Sequence, residues 1–214
     1  MRHTDSNTPY RYEIQIDDFP TDPLSKYDNF FSFLSLHRNY YNKPCYRSIY
    51  TPAGEEFKGN EFDGVKDIED TLNKNGYVWA KVYMYSHSGD TISSKPFGCR
   101  WDSGVFGYLY ATPDEISKWY DTPFTDELKA LAEKAMKEFI DGEWDAYVSG
   151  EVYGYSIIDT SDEEVIDSCD GYNGRKNAEQ AAQEALSGYL ARFNERAQYI
   201  ATNISYVSAL EVLQ

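Results

Sequence analysis

Residues 85–110, YSHSGDTISSKPFGCRWDSGVFGYLY, place His87, Ser88, Cys99, Asp102 and Ser103 between two aromatic-rich runs. These are the residue types of nucleophilic hydrolysis. A hydroxyl or thiol becomes a nucleophile when a base lies within hydrogen-bond reach and a third group orients that base. His87 with Ser103 or Cys99 is therefore the candidate for hydrolase chemistry. The local pattern does not carry it far: WDSG lacks the G-x-S-x-G elbow. HSGD fits a turn equally well, since Ser, Gly and Asp each have backbone reasons to sit in one. The preferred reading is structural. His87, Gly89, Trp101, Asp102, Ser103, Gly104 and Gly107 form a sheet-building block, with His87, Trp101 and Asp102 fixing a turn and a crossover by packing and hydrogen bonds.

Other chemistries have less support. His3, His37 and His87 are far apart, and no CxxC pair occurs among Cys45, Cys99 and Cys169, so no metal site is expected. Gly107 and Gly154 match no phosphate loop or dinucleotide fingerprint, and no cofactor is expected. Inside strand-like segments, such glycines mark a bulge or a close backbone approach. A small-molecule reading stays open: Trp79, Trp101 and Tyr108 stacking a base, with His87, Arg100 or Arg47 near a phosphate.

Charge sets the second candidate. The chain has 36 Asp+Glu against 20 Lys+Arg, a formal net charge of -16 over 214 residues. Direct nucleic-acid binding and anionic membrane surfaces are disfavoured, because phosphates need clustered cations. A basic protein partner is favoured. The stretch DTSDEEVIDSCD concentrates acid, and Asp162, Glu163, Glu164, Asp167 and Asp170 are the candidate partner-binding residues. It does not follow the ligand order of an EF-hand. The bland alternative is a solvated turn that keeps the protein soluble.

The elements that must hold these residues follow from hydrophobic pattern. YRYEIQID alternates as a strand. Residues 24–41 read as a helix or loop on the core, and residues 43–64 as an irregular connection. Val65, Ile68 and Leu72 have helical spacing, stopped at Gly76. Val78, Ala80, Val82 and Met84 share one face of a long strand that turns at Ser88-Gly89-Asp90. GVFGYLYA is another strand. TPDEISKWY opens a helix with Thr112 as N-cap, Pro113 at its first position and Glu115 completing a capping box. The next helix carries Leu128, Leu131, Ala132, Ala135 and Phe139 on one stripe. EVYGYSIID and EEVIDSCDGYNG form a hairpin. A final helix carries Ala178, Ala182, Ala185, Leu186, Tyr189, Phe193 and Ala197.

Strands in pairs with helices between them indicate an α+β domain. The expectation is one domain over 1–214, an antiparallel sheet of about five to seven strands with three to four helices on it. Residues 1–9 read as flexible, and 208–214 as tag-like. No apolar leader or membrane span is visible, and the odd, dispersed cysteines suit a reducing cytoplasm.

Three segments, DPLSKYDNFFSFLSLHRNY, VYMYSHSGDTISSKPFGCRWDSGVFGYLYATPDEI and DAYVSGEVYGYSIID followed by DSCDGYNG, resemble in that order a family of small acidic proteins carried by bacteriophages and other mobile elements. The family has Trp where Tyr27 stands, and Pro where Arg100 stands. The resemblance implies context more than mechanism: action in a prokaryotic cytoplasm, and a non-enzymatic inhibitor that binds a host nuclease or other defence protein, as a nucleic-acid mimic.

Overall fold

The computed structural model describes residues 8–26, 28–36, 48–50, 56–58 and 62–212, with backbone alone for 26, 48–50, 57–58 and 204–212. His3, His37, Cys45 and Arg47, most of the leading nine residues and the last two lie outside the described residues or side chains. The fold is α+β with antiparallel sheets. The strands divide between a three-stranded and a four-stranded sheet, with a separate two-stranded pair. The chain groups into two compact units, residues 1–20 with 152–214, and residues 21–151.

The second unit is built on β5 (Val78–Ser86), whose alternation buries Val78, Ala80, Val82 and Met84 as its pattern requires. The sheet order is β2-β7-β5-β6, with β2 at Ser32–Ser35, β6 at Asp90–Ser93 and β7 at Ser103–Ala111. Finding β2 corrects the helix-or-loop expectation for residues 24–41. Among the described residues of that stretch the helix is confined to α1 (Pro23–Lys26), and Phe33 and Leu34 are drawn into the sheet by full burial on its two faces. The connection read as irregular contains a short ladder, β3 (Ser48–Tyr50) with β4 (Glu56–Lys58).

Both faces of this sheet carry cores. One is closed by α3 (Pro113–Tyr120), α4 (Asp126–Phe139), a π-helical turn at residues 140–144 and α5 (Asp145–Ser149), around Phe33, Phe106, Ile116, Met136 and Trp144. The capping box of α3 forms as its sequence dictates, Thr112 Oγ1 accepting from the Glu115 N–H at 3.2 Å and Glu115 Oε2 from the Thr112 N–H at 2.7 Å. On α4 the buried stripe is Leu128, Ala132 and Met136, whereas Leu131 is exposed. The other face is closed at one end by α2 (Val65–Lys74) through Ile68 and Leu72, packed with Leu34, Tyr77, Tyr108 and Tyr110.

The π turn has a visible consequence. Its wider winding puts Ile140 and Trp144 in the core and turns Asp141 and Asp145 onto the outer edge of β6. Asp145 Oδ1 accepts from the Ile92 N–H at 2.8 Å and the Thr91 hydroxyl at 2.7 Å. Asp141 accepts from the Ser94 N–H and hydroxyl, both at 2.6 Å. Edge-strand donors are thus satisfied by carboxylates instead of another strand.

The first unit has sheet order β1-β8-β9, with β1 at Tyr10–Ile16, β8 at Val152–Asp159 and β9 at Val165–Asn173. The long helix α6 (Arg175–Val212) packs Ala178 and Ala182 on it, around Tyr12, Tyr155 and Ile157. Phe193 and Ala197, expected on the same buried stripe, are exposed. Among the described residues no helix is long and apolar enough to cross a membrane.

Candidate functional site

Residues 86–103 tie two strands together. The Ser86 N–H donates to the Asp102 carbonyl at 2.8 Å, and the Ser86 hydroxyl to Asp90 Oδ1 at 2.5 Å. His87 Nδ1 and Cys99 Sγ both lie 3.5 Å from the same oxygen, Asp102 Oδ2. The Ser103 hydroxyl donates to the Cys99 carbonyl. Asp102 therefore stands between thiol and imidazole, and the Ser103 proton is directed at a backbone carbonyl. In these contacts neither the Ser103 hydroxyl nor the Cys99 thiol rests on the His87 imidazole. The contacts tie the turn to the crossover through His87 and Asp102. Trp101 does not take part: it is 96 % exposed and fixes nothing by packing.

The glycines of the block differ in kind. A side chain at Gly107 would meet the Leu34 carbonyl and come within 2.6 Å of the Phe33 ring. Here β2 and β7 approach closely, and β5 changes register against β7 between Val82 and Tyr83, a bulge at Phe106 of β7. Both readings of this glycine, bulge and close approach, hold. At Gly89 and Gly104 a side chain would meet open space, so no steric need fixes those two.

The acidic hairpin is the second assembly, within the first unit. β8 and β9 pair antiparallel across residues 160–164. The tip is internally bonded: Asp159 Oδ1 accepts from the Ser161 N–H at 2.9 Å and hydroxyl at 2.7 Å, and Asp162 Oδ1 from the Glu164 N–H at 3.1 Å. These bonds hold the Asp159 carboxyl below its ordinary pKa, the Ser161 N–H first. Glu163 takes a left-handed backbone, φ 64°, and its carboxylate accepts from Arg11 Nη2 at 2.6 Å. The tip is also tied to the start of β1, where the Thr160 N–H donates to the Pro9 carbonyl at 2.9 Å.

Of the five acids expected to meet a partner, Glu163 is thus occupied by Arg11. Asp170 lies against Gly154, its Cγ 2.8 Å from where a side chain there would begin. Asp162 and Glu164 are exposed and Asp167 is half-buried. β9 ends the sheet order, and Val165 and Ile166 stand 59 % and 38 % exposed beside those acids. Nothing in the local pattern marks this apolar pair as surface, because apolar residues of a buried strand look the same.

The chain matches no family model, no curated protein and no solved structure.

A third surface lies in the second unit. On the outer face of β5, Trp79, Lys81 and Tyr83 follow one another, each half-buried. The Trp79 indole N–H donates to Asn73 Oδ1 at 3.0 Å, and its ring meets Tyr108 edge-on at 5.5 Å. Lys81 pairs with Glu69, which also accepts from the Tyr108 hydroxyl at 2.9 Å. Burial alone would raise the Glu69 pKa; the bonds from Lys81 and Tyr108 outweigh it and hold the carboxyl low. Burial first, then Glu69, pushes the Tyr108 phenol strongly up.

Tyr108 is fully buried, so it cannot stack a base, which corrects that expectation. β6 reaches only to Tyr83 of β5, and beyond it the described strands leave one side of residues 78–82 uncovered. A cavity of about 330 Å³ opens there, lined by Trp79, Lys81 and Tyr83 and by Lys129, Glu133 and Lys137 of α4. The lysines of α4 were missed because a charged helix face reads as solvated. Among the described residues no group of three or more His, Cys, Asp or Glu could hold a metal ion.

Proposed function

We propose that the chain is a non-enzymatic accessory protein that captures a basic protein partner through the β8–β9 hairpin and the outer edge of β9. The observation that carries this reading is the character of β9. It is a terminal strand, exposed over most of its length, with acids and the apolar pair Val165 and Ile166 side by side. Carboxylates steer a basic surface toward the hairpin, and the apolar pair supplies desolvated contact once it arrives. The bonded tip presents the acids on a fixed backbone, which lowers the ordering cost of binding. The resemblance to acidic phage-borne proteins supports a host nuclease or other nucleic-acid-binding defence protein as the partner, its basic cleft taking carboxylates in place of phosphates.

The test is binding to a panel of basic nucleases at low and high salt, using the wild type and an Asp162→Asn/Glu164→Gln/Asp167→Asn variant. Binding that weakens with salt mainly through its association rate, and at least about tenfold in the variant, supports the reading. Wild-type binding to none of the panel at low salt counts against the mimic.

A second reading has its own observation: Lys129 and Lys137, with Lys81 already paired to Glu69, line one cavity with Trp79 and Glu133 in a chain of net charge -16. An anionic small molecule with a flat ring, such as a nucleotide signal, fits that chemistry. Thermal stabilisation by cyclic nucleotides, lost in Lys129→Ala/Lys137→Ala, would support it; no stabilisation by any of them would remove it.

A further inference from the structure

The helix α6 is longer than the sheet it covers. Its 38 residues span about 57 Å, against about 27 Å for the eight residues of β8. Its sheet-facing side chains end near Tyr189, which meets Tyr10 at 5.8 Å, and Phe193, which touches the same ring edge-on at 6.0 Å. Residues 191–203 are all exposed. A helical stretch of that length with so little of its surface buried is marginal in water, because helical stability comes chiefly from burying an apolar face.

The projecting half has such a face. Leu190, Phe193, Ala197 and Ile200 recur at alternating spacings of three and four, and Ile204 and Val207 continue the series in sequence. That is a repeat of 3.5 residues, not the 3.6 of a helix lying on a sheet, and it is the period that makes two helices wind around one another. Phe193 and Ile200 are 43 % and 47 % exposed on this seam. Charge permits self-pairing. From residue 187 onward the chain carries two arginines and two glutamates, so this segment is neutral in a protein of net charge -16. Two copies can approach here without the repulsion expected elsewhere on the surface.

We infer that the seam that starts at Leu190 and runs through Phe193, Ala197 and Ile200 docks against the same seam of a second copy of this chain, forming a two-stranded coiled coil. The inference is independent of the partner proposed for the β9 edge. A coiled coil would carry two acidic hairpins on one particle, and so raise avidity for a repeated or dimeric target.

Sedimentation velocity and light scattering on the full chain test it. The wild type should have a solution mass twice the chain's 24.6 kDa. Phe193→Glu/Ile200→Glu should weaken self-association at least about 30-fold. Tyr199→Glu should leave it unchanged, although Tyr199 is more exposed, 71 %, because it lies off the seam. Amide exchange in β8 should be the same in all three proteins, showing that the sheet is intact. A monomeric wild type, a trimer or larger particle, or equal dissociation by Tyr199→Glu would overturn the inference.

Discussion

Arg11 Nη2 donates to Glu163 Oε2 at 2.6 Å and to Glu13 Oε1 at 3.3 Å, pinning the acidic tip to the neighbouring strand β1. One acid of the hairpin therefore serves the fold, and the tip's two kinds of carboxylate are separable by mutation. Glu163→Ala should lower the unfolding midpoint, since it leaves a buried guanidinium with one carboxylate fewer, while changing partner affinity little. Arg11→Met should act in the same direction. Paired thermal unfolding and binding measurements check both. A Glu163→Ala protein with wild-type stability and lost binding would reverse the assignment.

Gly107 has no room for a side chain between β7 and the Leu34 carbonyl. Gly107→Ala should cost about 3 kcal/mol or more, because backbone on one side and a buried Phe33 ring on the other cannot both move. Gly104→Ala, two strand positions from the bulge and open above, should cost well under 1 kcal/mol. Denaturant unfolding of the two variants side by side measures the contrast.

Asp145→Ala should destabilise by about 1–3 kcal/mol, since it strips the Ile92 N–H of its acceptor at the β6 edge. Asp141 adds a pH dependence. Burial would raise its pKa; the Ser94 hydroxyl and N–H, Ser93 and the Lys95 charge outweigh it and hold it below the ordinary value. A carboxyl lower in the folded than in the unfolded chain contributes stability that is fully present above about pH 4 and is lost as pH falls through the folded pKa. Asp141→Asn should therefore flatten the acid limb of the stability curve and leave its shape near neutrality alone. An unchanged acid limb in that variant would contradict the assignment.

Strands and helices with one clean period were legible from sequence. The β5 alternation, the Thr112–Glu115 capping box and the β8–β9 hairpin are local features, and the structure realises them. What escaped depended on partners distant in sequence. Ser32–Ser35 became a strand because β7 offered it an edge, which the aromatic-rich run around it did not announce. Asp141 and Asp145 looked like solvated helix acids until the π turn aimed them at β6. Trp101 looked like a packing residue by type alone, and its exposure follows from the crossover around it. At the candidate site, the acids were legible as charge, but Glu163 could be set apart only once Arg11 was seen beside it.

The central claim is that the outer acids and the β9 edge form a contact surface for a basic protein. Kinetic binding of a partner captured on the immobilised full chain, across a salt series, tests it most directly. Asp162→Asn/Glu164→Gln/Asp167→Asn should slow association at least about tenfold and flatten its salt dependence, while Val165→Ser/Ile166→Ser should speed dissociation. Association and dissociation rates unchanged in both variants would contradict it.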